Sequence, residues 1–222
     1  MNIRHLLRPI IFRIVKPLLW RYLSRERSYR YRDIRMTIRP GVFHPGFFFS
    51  TRLLLDFLAQ HDLGGKTLLE LGAGSGLIAI HSARRGARVT ASDINPAAVQ
   101  SIRENAAANR AELTVVESDL FANIARQRFD YIIINPPYYP QDPASESEYA
   151  WFCGAEFEYF RALFPQLGNY CDAQSQVLMI LSEDCRIDTI REIAAGSQMQ
   201  LEEIFRKRVW GEWNFIFKIE KW

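Results

Sequence analysis

Cysteine is scarce in this 222-residue chain, and it is not arranged for cross-linking. Cys153, Cys171 and Cys185 form no C-x-x-C pair and have no histidine at ligand spacing, which excludes a disulfide framework and gives no sign of a zinc site. Such thiols are expected to be reduced in a cytoplasmic protein. His5, His44, His61 and His81 likewise have no Cys or Ser partner that would form a nucleophile and its base. No uninterrupted run of about eighteen apolar residues occurs, because Arg or Lys breaks the N-terminal hydrophobic stretch every few positions. No small-residue cleavage site follows that stretch, so neither a transmembrane helix nor a cleaved leader is expected. Repeats and low-complexity tracts are also missing.

What is present is enough for one α/β domain: 48% of the residues are hydrophobic, and the length is short for two full cores. The net charge of +3 conceals a division, since residues 1–40 hold eleven Lys or Arg and two acids while the remainder is net acidic. Residues 1–40 therefore read as a basic arm, with a helical segment followed by a short hairpin, and 41–222 as the main domain. Pro9 and Pro17 would kink or split the arm's helix, and its amphipathicity is imperfect. Three readings compete for the arm: a helix packed on the domain, a surface facing nucleic acid, and a segment lying on a membrane.

Alternation at Tyr29, Tyr31, Ile34, Met36 and Ile38 predicts the hairpin, and "TRLLLDFLAQ" predicts a helix capped by Ser50 or Thr51. A β/α rhythm follows. Strands are predicted at 66–71, 88–93, 113–117, 129–135, 176–182, 201–208 and 215–220, with helices near 77–85, 96–109, 156–168 and 186–195. This alternation means a mostly parallel seven-stranded sheet covered by helices on both faces. The last two strands are joined by only "VWGEW", too short for a crossover, so they should be antiparallel.

Four strand ends carry polar groups. "LLELGAGSGL" is a strand, a glycine turn and a helix, in which Gly72, Gly74 and Gly76 permit close approach of a ligand to the backbone. A dinucleotide fingerprint would need a glycine at position 77, which is Leu; the G-x-G-x-G spacing, preceded by Glu70, suits a cofactor bearing an amino group and a sulfonium. "ASDINP" places Asp93 where a carboxylate can accept from two ribose hydroxyls, and "SDLF" offers Asp119 to an adenine amino group. Helix capping is the alternative for each acid alone. The fourth end, "FDYIIINPPYYP", is an apolar strand closed by Asn135 and two prolines, at the sheet edge where open α/β sheets bind ligands.

"LELGAGSG", "ASDINP", "SDLF" and "NPPYYP", in this order, resemble the successive motifs of class I S-adenosylmethionine-dependent methyltransferases. The N-P-P-Y box is similar to that of enzymes acting on planar nitrogens: adenine-N6, guanine-N2 and protein glutamine-N5. The resemblance covers about 41–222 and implies a Rossmann-like α/β fold. It also implies S-adenosyl-L-methionine held by Ser50, Thr51, Glu70, Gly72, Ala73, Gly74, Gly76, Asp93, Ile94, Ser118, Asp119, Leu120 and Asn135, with no metal. Asn135, Pro136, Pro137 and Tyr138 would form the catalytic box. There the Asn135 side-chain oxygen and the Pro136 carbonyl accept from a target NH₂, and Tyr138 stacks on its plane. The implied substrate is a macromolecule. The C-terminal "RVWGEWNFIFKIE" leans toward protein glutamine and the basic arm toward RNA, while a non-catalytic cofactor-binding module is the competing class. The stretch from Tyr139 to Ala155 reads either as a substrate lid or as a surface loop docked by Tyr149, Trp151 and Phe152. Oligomeric state is not legible.

Overall fold

The computed structural model describes residues 24–46 and 49–222. The helical segment expected in the arm lies, Ser24 apart, outside the described residues. The chain opens with strands β1 (Arg27–Tyr31) and β2 (Ile34–Ile38), paired as an antiparallel hairpin. Helix α1 (Phe49–Leu58) starts earlier than the proposed caps, so Ser50 and Thr51 sit inside its first turn. There follow β3 (Thr67–Leu71), α2 (Leu77–Ala83), β4 (Arg88–Asp93), α3 (Pro96–Ala108), β5 (Thr114–Glu117) and β6 (Tyr131–Ile134). The chain ends with α4 (Glu158–Leu167), β7 (Gln176–Ser182), α5 (Ile187–Gly196), β8 (Met199–Val209) and β9 (Glu212–Lys221).

The main sheet has seven strands in the order β5-β4-β3-β6-β7-β9-β8. Strands β3 to β7 run parallel, and β9 lies antiparallel between β7 and β8. This is the predicted mostly parallel Rossmann-like sheet with a reversed C-terminal strand.

Alternation of apolar side chains fixes which helices cover which face. In β6, Tyr131 and Ile133 enter a core with α1, α2 and α3, while Ile132 and Ile134 enter a second core with α4 and α5. β3 divides in the same way, with Leu68 on the first face and Leu69 and Leu71 on the second. Glu70 therefore projects toward the first face, where α2 lies.

The hairpin belongs to the first core, burying Tyr31, Ile34, Met36 and Ile38. Its free edge is met by two asparagines one turn apart on α3. The Asn105 Oδ1 accepts from the Thr37 backbone N–H at 2.8 Å, and its Nδ2 donates to the Thr37 carbonyl at 3.0 Å. Asn109 treats Arg35 in the same way, at 2.9 and 2.7 Å. Each primary amide thus imitates a peptide group of a neighbouring strand. The match works because four helical residues rise about 6 Å and two strand residues about 6.7 Å. Asn105 also donates to the Ser75 carbonyl at 3.0 Å, tying hairpin, helix and glycine turn together.

Asn105 is 2% exposed, so truncation would strand the Thr37 N–H and the buried Ser75 carbonyl, while the Thr37 carbonyl keeps the Ser101 hydroxyl. Asn105→Ala is expected to lower unfolding free energy by about 2–4 kcal/mol in urea titration. The more exposed Asn109→Ala should cost about 1 kcal/mol or less. Equal costs at the two positions would refute the clamp as described.

Candidate active site

The register of three parallel strands sets the site. Leu71 pairs with Ser92 of β4 on one side and with Ile134 of β6 on the other. Gly72, Asp93 and Asn135 are the next residues of their chains and emerge together at the carboxyl edge. The crossovers from β3 leave toward β4 while β6 lies on its other side, so the cleft opens where the strand order reverses. It encloses about 470 Å³.

Each turn is held by its own backbone bonds. The Asp93 carboxylate accepts from the Gly74 N–H at 2.8 Å through one oxygen and from the Asn95 N–H at 2.9 Å through the other. Asn95, not Asp93, caps α3 by accepting from the Ala97 N–H. Burial pushes the Asp93 carboxyl above its ordinary range despite the backbone donors of Asn95, Gly74 and Ile94. Gly72 lines the cleft with φ +68°, and a Cβ built there would meet no protein atom within 4 Å, so the space over it is a cradle for a ligand. Gly76, at φ +85°, serves a different need, since a Cβ would come within 3.1 Å of Ile102 on α3.

Of the residues expected to hold a cofactor, Ser50, Gly72, Gly74, Asp93, Ile94, Ser118, Asp119, Leu120 and Asn135 line the cleft. Ile94 is 39% exposed there, a hydrophobic shelf beside the acid. Leu120 stands in the left-handed region at φ +46°, held by the Ser118 hydroxyl donating to its carbonyl at 2.9 Å. The Ser118 oxygen also accepts from the Asn123 N–H, so this hydroxyl is spent on shaping the turn. Asp119 is exposed toward the cleft.

Glu70, Ala73, Gly76 and Thr51 do not reach the cleft. Thr51 is buried in α1 and Ala73 beneath the turn, where its N–H donates to the Ser92 carbonyl. Glu70, expected among the residues that hold the cofactor, is directed by pleat parity to α2, where it accepts from the Ala79 N–H at 2.7 Å. That bond satisfies an otherwise orphaned first-turn donor. Burial raises the Glu70 carboxyl to about 8, with Asp93 adding to the rise.

The box after β6 occupies the same cleft, which Asn135, Pro136, Pro137 and Tyr138 all line. Asn135 is partly exposed, and its side-chain amide makes no hydrogen bond with the described residues. Burial holds the Tyr138 phenol well above its ordinary range, so it stays neutral. The stretch expected as lid or docked loop forms the outer wall. Tyr139 and Phe152 bridge in parallel, the Cys153 N–H donates to the Tyr139 carbonyl, and the Trp151 ring packs 5.6 Å from that of Phe43.

Phe43, Asp142, Glu158 and Tyr159 also line the cleft, from two loops and from α4; nothing in the sequence marks Glu158 or Tyr159, which only the tertiary fold brings there. Together with Asp93 and Asp119, the lining contains four carboxylates and no Lys, Arg or His among the described residues. Such a site can hold a ligand rich in hydroxyl and amino donors and present a neutral acceptor, Asn135, to a second molecule.

A cleft of this kind, at the reversal point of a sheet in this strand order, defines the class I methyltransferase fold. The family model for the methyltransferase small domain matches residues 33–151, and the chain belongs to that family. It is 42% identical over 108 residues to a protein of Methanocaldococcus jannaschii that bears the name "putative protein N5-glutamine methyltransferase", covering 48% of this chain and 52% of that one. It is 38% identical over 117 residues to the ribosomal RNA small subunit methyltransferase C of Actinobacillus pleuropneumoniae, covering 51% and 35%. The chain thus spans about half, or about a third, of the length of these curated relatives. Among solved structures, the T. thermophilus 16S rRNA N2 methyltransferase, in complex with AdoMet and guanosine, superposes with a TM-score of 0.60 at 21% identity, over 89% of this chain and 50% of that one.

The Glu70 shift has a defined consequence for stability. A folded-state value of about 8 against 4.5 means the proton stabilises the fold: the contribution is complete below pH 4.5, declines as pH rises, and is gone above about 8. Glu70→Gln keeps an acceptor for Ala79 and removes the titration. Unfolding in urea across this range should show the variant gaining on the wild type as pH rises, then running parallel to it. Profiles parallel throughout would show that Glu70 is ionised in the fold.

Proposed function

We propose that the protein is an S-adenosylmethionine-dependent N-methyltransferase acting on a planar amide nitrogen, the N5 of a glutamine in a protein substrate. One observation carries the reading: Asn135 and its prolines share a single cleft, and a single sheet level, with the glycine turn and Asp93. Asp93 would accept from the ribose hydroxyls, Asp119 from the adenine amino group, and Ile94 and Leu120 would flank the base. Gly72 leaves room for the chain that bears the sulfonium. When bound, S-adenosylmethionine supplies an electrophilic methyl group on sulfur.

The protein's own part is positioning. The side-chain oxygen of Asn135 and the carbonyl of Pro136 accept from the target NH₂, turn its lone pair out of conjugation and toward the methyl, and stabilise the positive charge that grows on nitrogen. Pro136 and Pro137 keep that acceptor pair stiff, since neither can rearrange its φ. Tyr138, neutral because it is buried, lies flat against the amide. The leaving proton departs from a nitrogen that has become strongly acidic, so no dedicated base is needed.

The acidic lining favours a protein target. Asp142 and Glu158 add to Asp93 and Asp119, and among the described residues no lining cation offsets them, which disfavours a phosphodiester entering the cleft. The N5-glutamine relative agrees with this. A second reading, methylation of guanine N2 or adenine N6 in RNA, is supported by the ribosomal RNA relative and by the basic arm, as a nucleic-acid rather than membrane contact. A cytosolic setting is part of this reading, since the three free thiols would remain reduced there.

Tritiated S-adenosylmethionine and the purified protein, incubated with lysate from a strain lacking it, should label material that protease, and not nuclease, removes. Label lost to nuclease alone would establish the second reading, and no label at all would leave a binding module. Asn135→Ala should retain cofactor binding and lose about 2–4 kcal/mol of transition-state stabilisation. Asp93→Ala should weaken cofactor binding by calorimetry, and unchanged binding would remove it from the site.

A further inference from the structure

Helix α4 starts from a residue held against its own preference. Phe157, which precedes it, has φ +62° and ψ +36°, the left-handed region in which a bulky aromatic side chain is strained. Packing offsets the strain, since Phe157 is 4% exposed, its ring lies 6.4 Å from that of Phe160, and the Arg186 guanidinium sits 5.7 Å over it. The consequence is the direction of the first turn. The Tyr159 N–H donates to the Cys153 carbonyl at 3.0 Å, which ties that turn to the outer wall, and Glu158, Tyr159 and Ala162 all line the cleft. Strain kept at the edge of a site points to a side chain that the site uses.

Tyr159 is the side chain of that turn with unused capacity. It is half-buried, packed against the second core with its ring edge-on to Phe160 at 5.3 Å, and its hydroxyl makes no hydrogen bond with the described residues. Burial, with Asp93 and then Asp119 adding to it, holds the phenol well above its ordinary range. The group is therefore neutral. Neither acid takes its proton, although both line the same cleft, so that proton is available to an acceptor that enters.

An adenosyl group needs donors as well as acceptors around it. Asp119 and Asp93 suit its amino group and ribose hydroxyls, but N1, N3 and N7 of adenine only accept, and an ionised carboxylate has nothing to give them. The Ser118 hydroxyl nearby is already spent on its turn. We infer that Tyr159 selects the base of the cofactor: its hydroxyl donates to a ring nitrogen of adenine, while its ring closes the pocket from the α4 side. The inference rests on the proposed seating of the nucleoside and supplies the side-chain donor which that seating lacks. A buried donor of this kind rejects a base without the matching nitrogen, because its own hydrogen bond is then left unmade. Apolar packing alone discriminates far less.

Calorimetry on the whole chain tests this, with S-adenosylhomocysteine and its 1-deaza, 3-deaza and 7-deaza adenine analogues as ligands. Tyr159→Phe should bind S-adenosylhomocysteine about tenfold more weakly than the wild type does. One analogue should carry a similar penalty in the wild type and none in the variant, which identifies the nitrogen. Thermal unfolding without ligand should be unchanged, since the hydroxyl has no partner among the described residues to lose. Equal affinity of variant and wild type for S-adenosylhomocysteine would overturn the inference. So would a loss uniform across all the ligands, which would put the hydroxyl on the ribose or the amino-acid chain instead of the base. A wild type that binds none of them overturns the proposed nucleoside site itself, so the two failures are told apart.

Discussion

The site depends on one constraint, the shared register of β3, β4 and β6. Because Leu71 is level with both Ser92 and Ile134, the residues that follow each must leave the sheet at one height. A one-residue slip of β6 would turn Ile132 and Ile134 away from the α4–α5 core and move Asn135 off that level. The buried apolar alternation that stabilises the sheet is therefore also what aligns the chemistry. The 2.8 Å bond from the Gly74 N–H to Asp93 then locks the glycine turn to the adjacent strand end.

Much of this was legible because parallel-sheet physics leaves strong marks. Buried strands read as short apolar runs, turns as glycine or proline, and the short link before the last strand, two residues in the structure, forced an antiparallel pair. Asp93, Asp119 and Asn135 stood out because each ends a strand run or follows it within two residues. Glu70 was misread because motif proximity does not report the pleat: its parity with Leu68 sends it to α2, a fact visible only once the core faces are known. The cap expected at Ser50 or Thr51 failed for a simpler reason, since α1 begins at Phe49.

The remaining features were not legible because they come from contacts distant in sequence. Asn105 and Asn109 look like ordinary polar residues of a helix, and only the hairpin, some seventy positions earlier, turns them into a surrogate strand. Likewise, Asp142 and Glu158 acquire meaning when the wall from Tyr139 to Gly154 folds back along the cleft. The described lining thereby gathers acids at the mouth, although the net charge of the chain is +3. A neutral planar group can enter such a mouth more readily than a polyanion.

The central claim is that the level shared by Gly72, Asp93 and Asn135 faces a single nucleoside thioether. A crystal structure of the protein with S-adenosylhomocysteine measures this most directly. The account predicts ribose hydroxyls on the Asp93 carboxylate and the sulfur directed at the Asn135 amide. A nucleoside seated elsewhere, or an Asn135 side chain turned into the core and away from the sulfur, would contradict it.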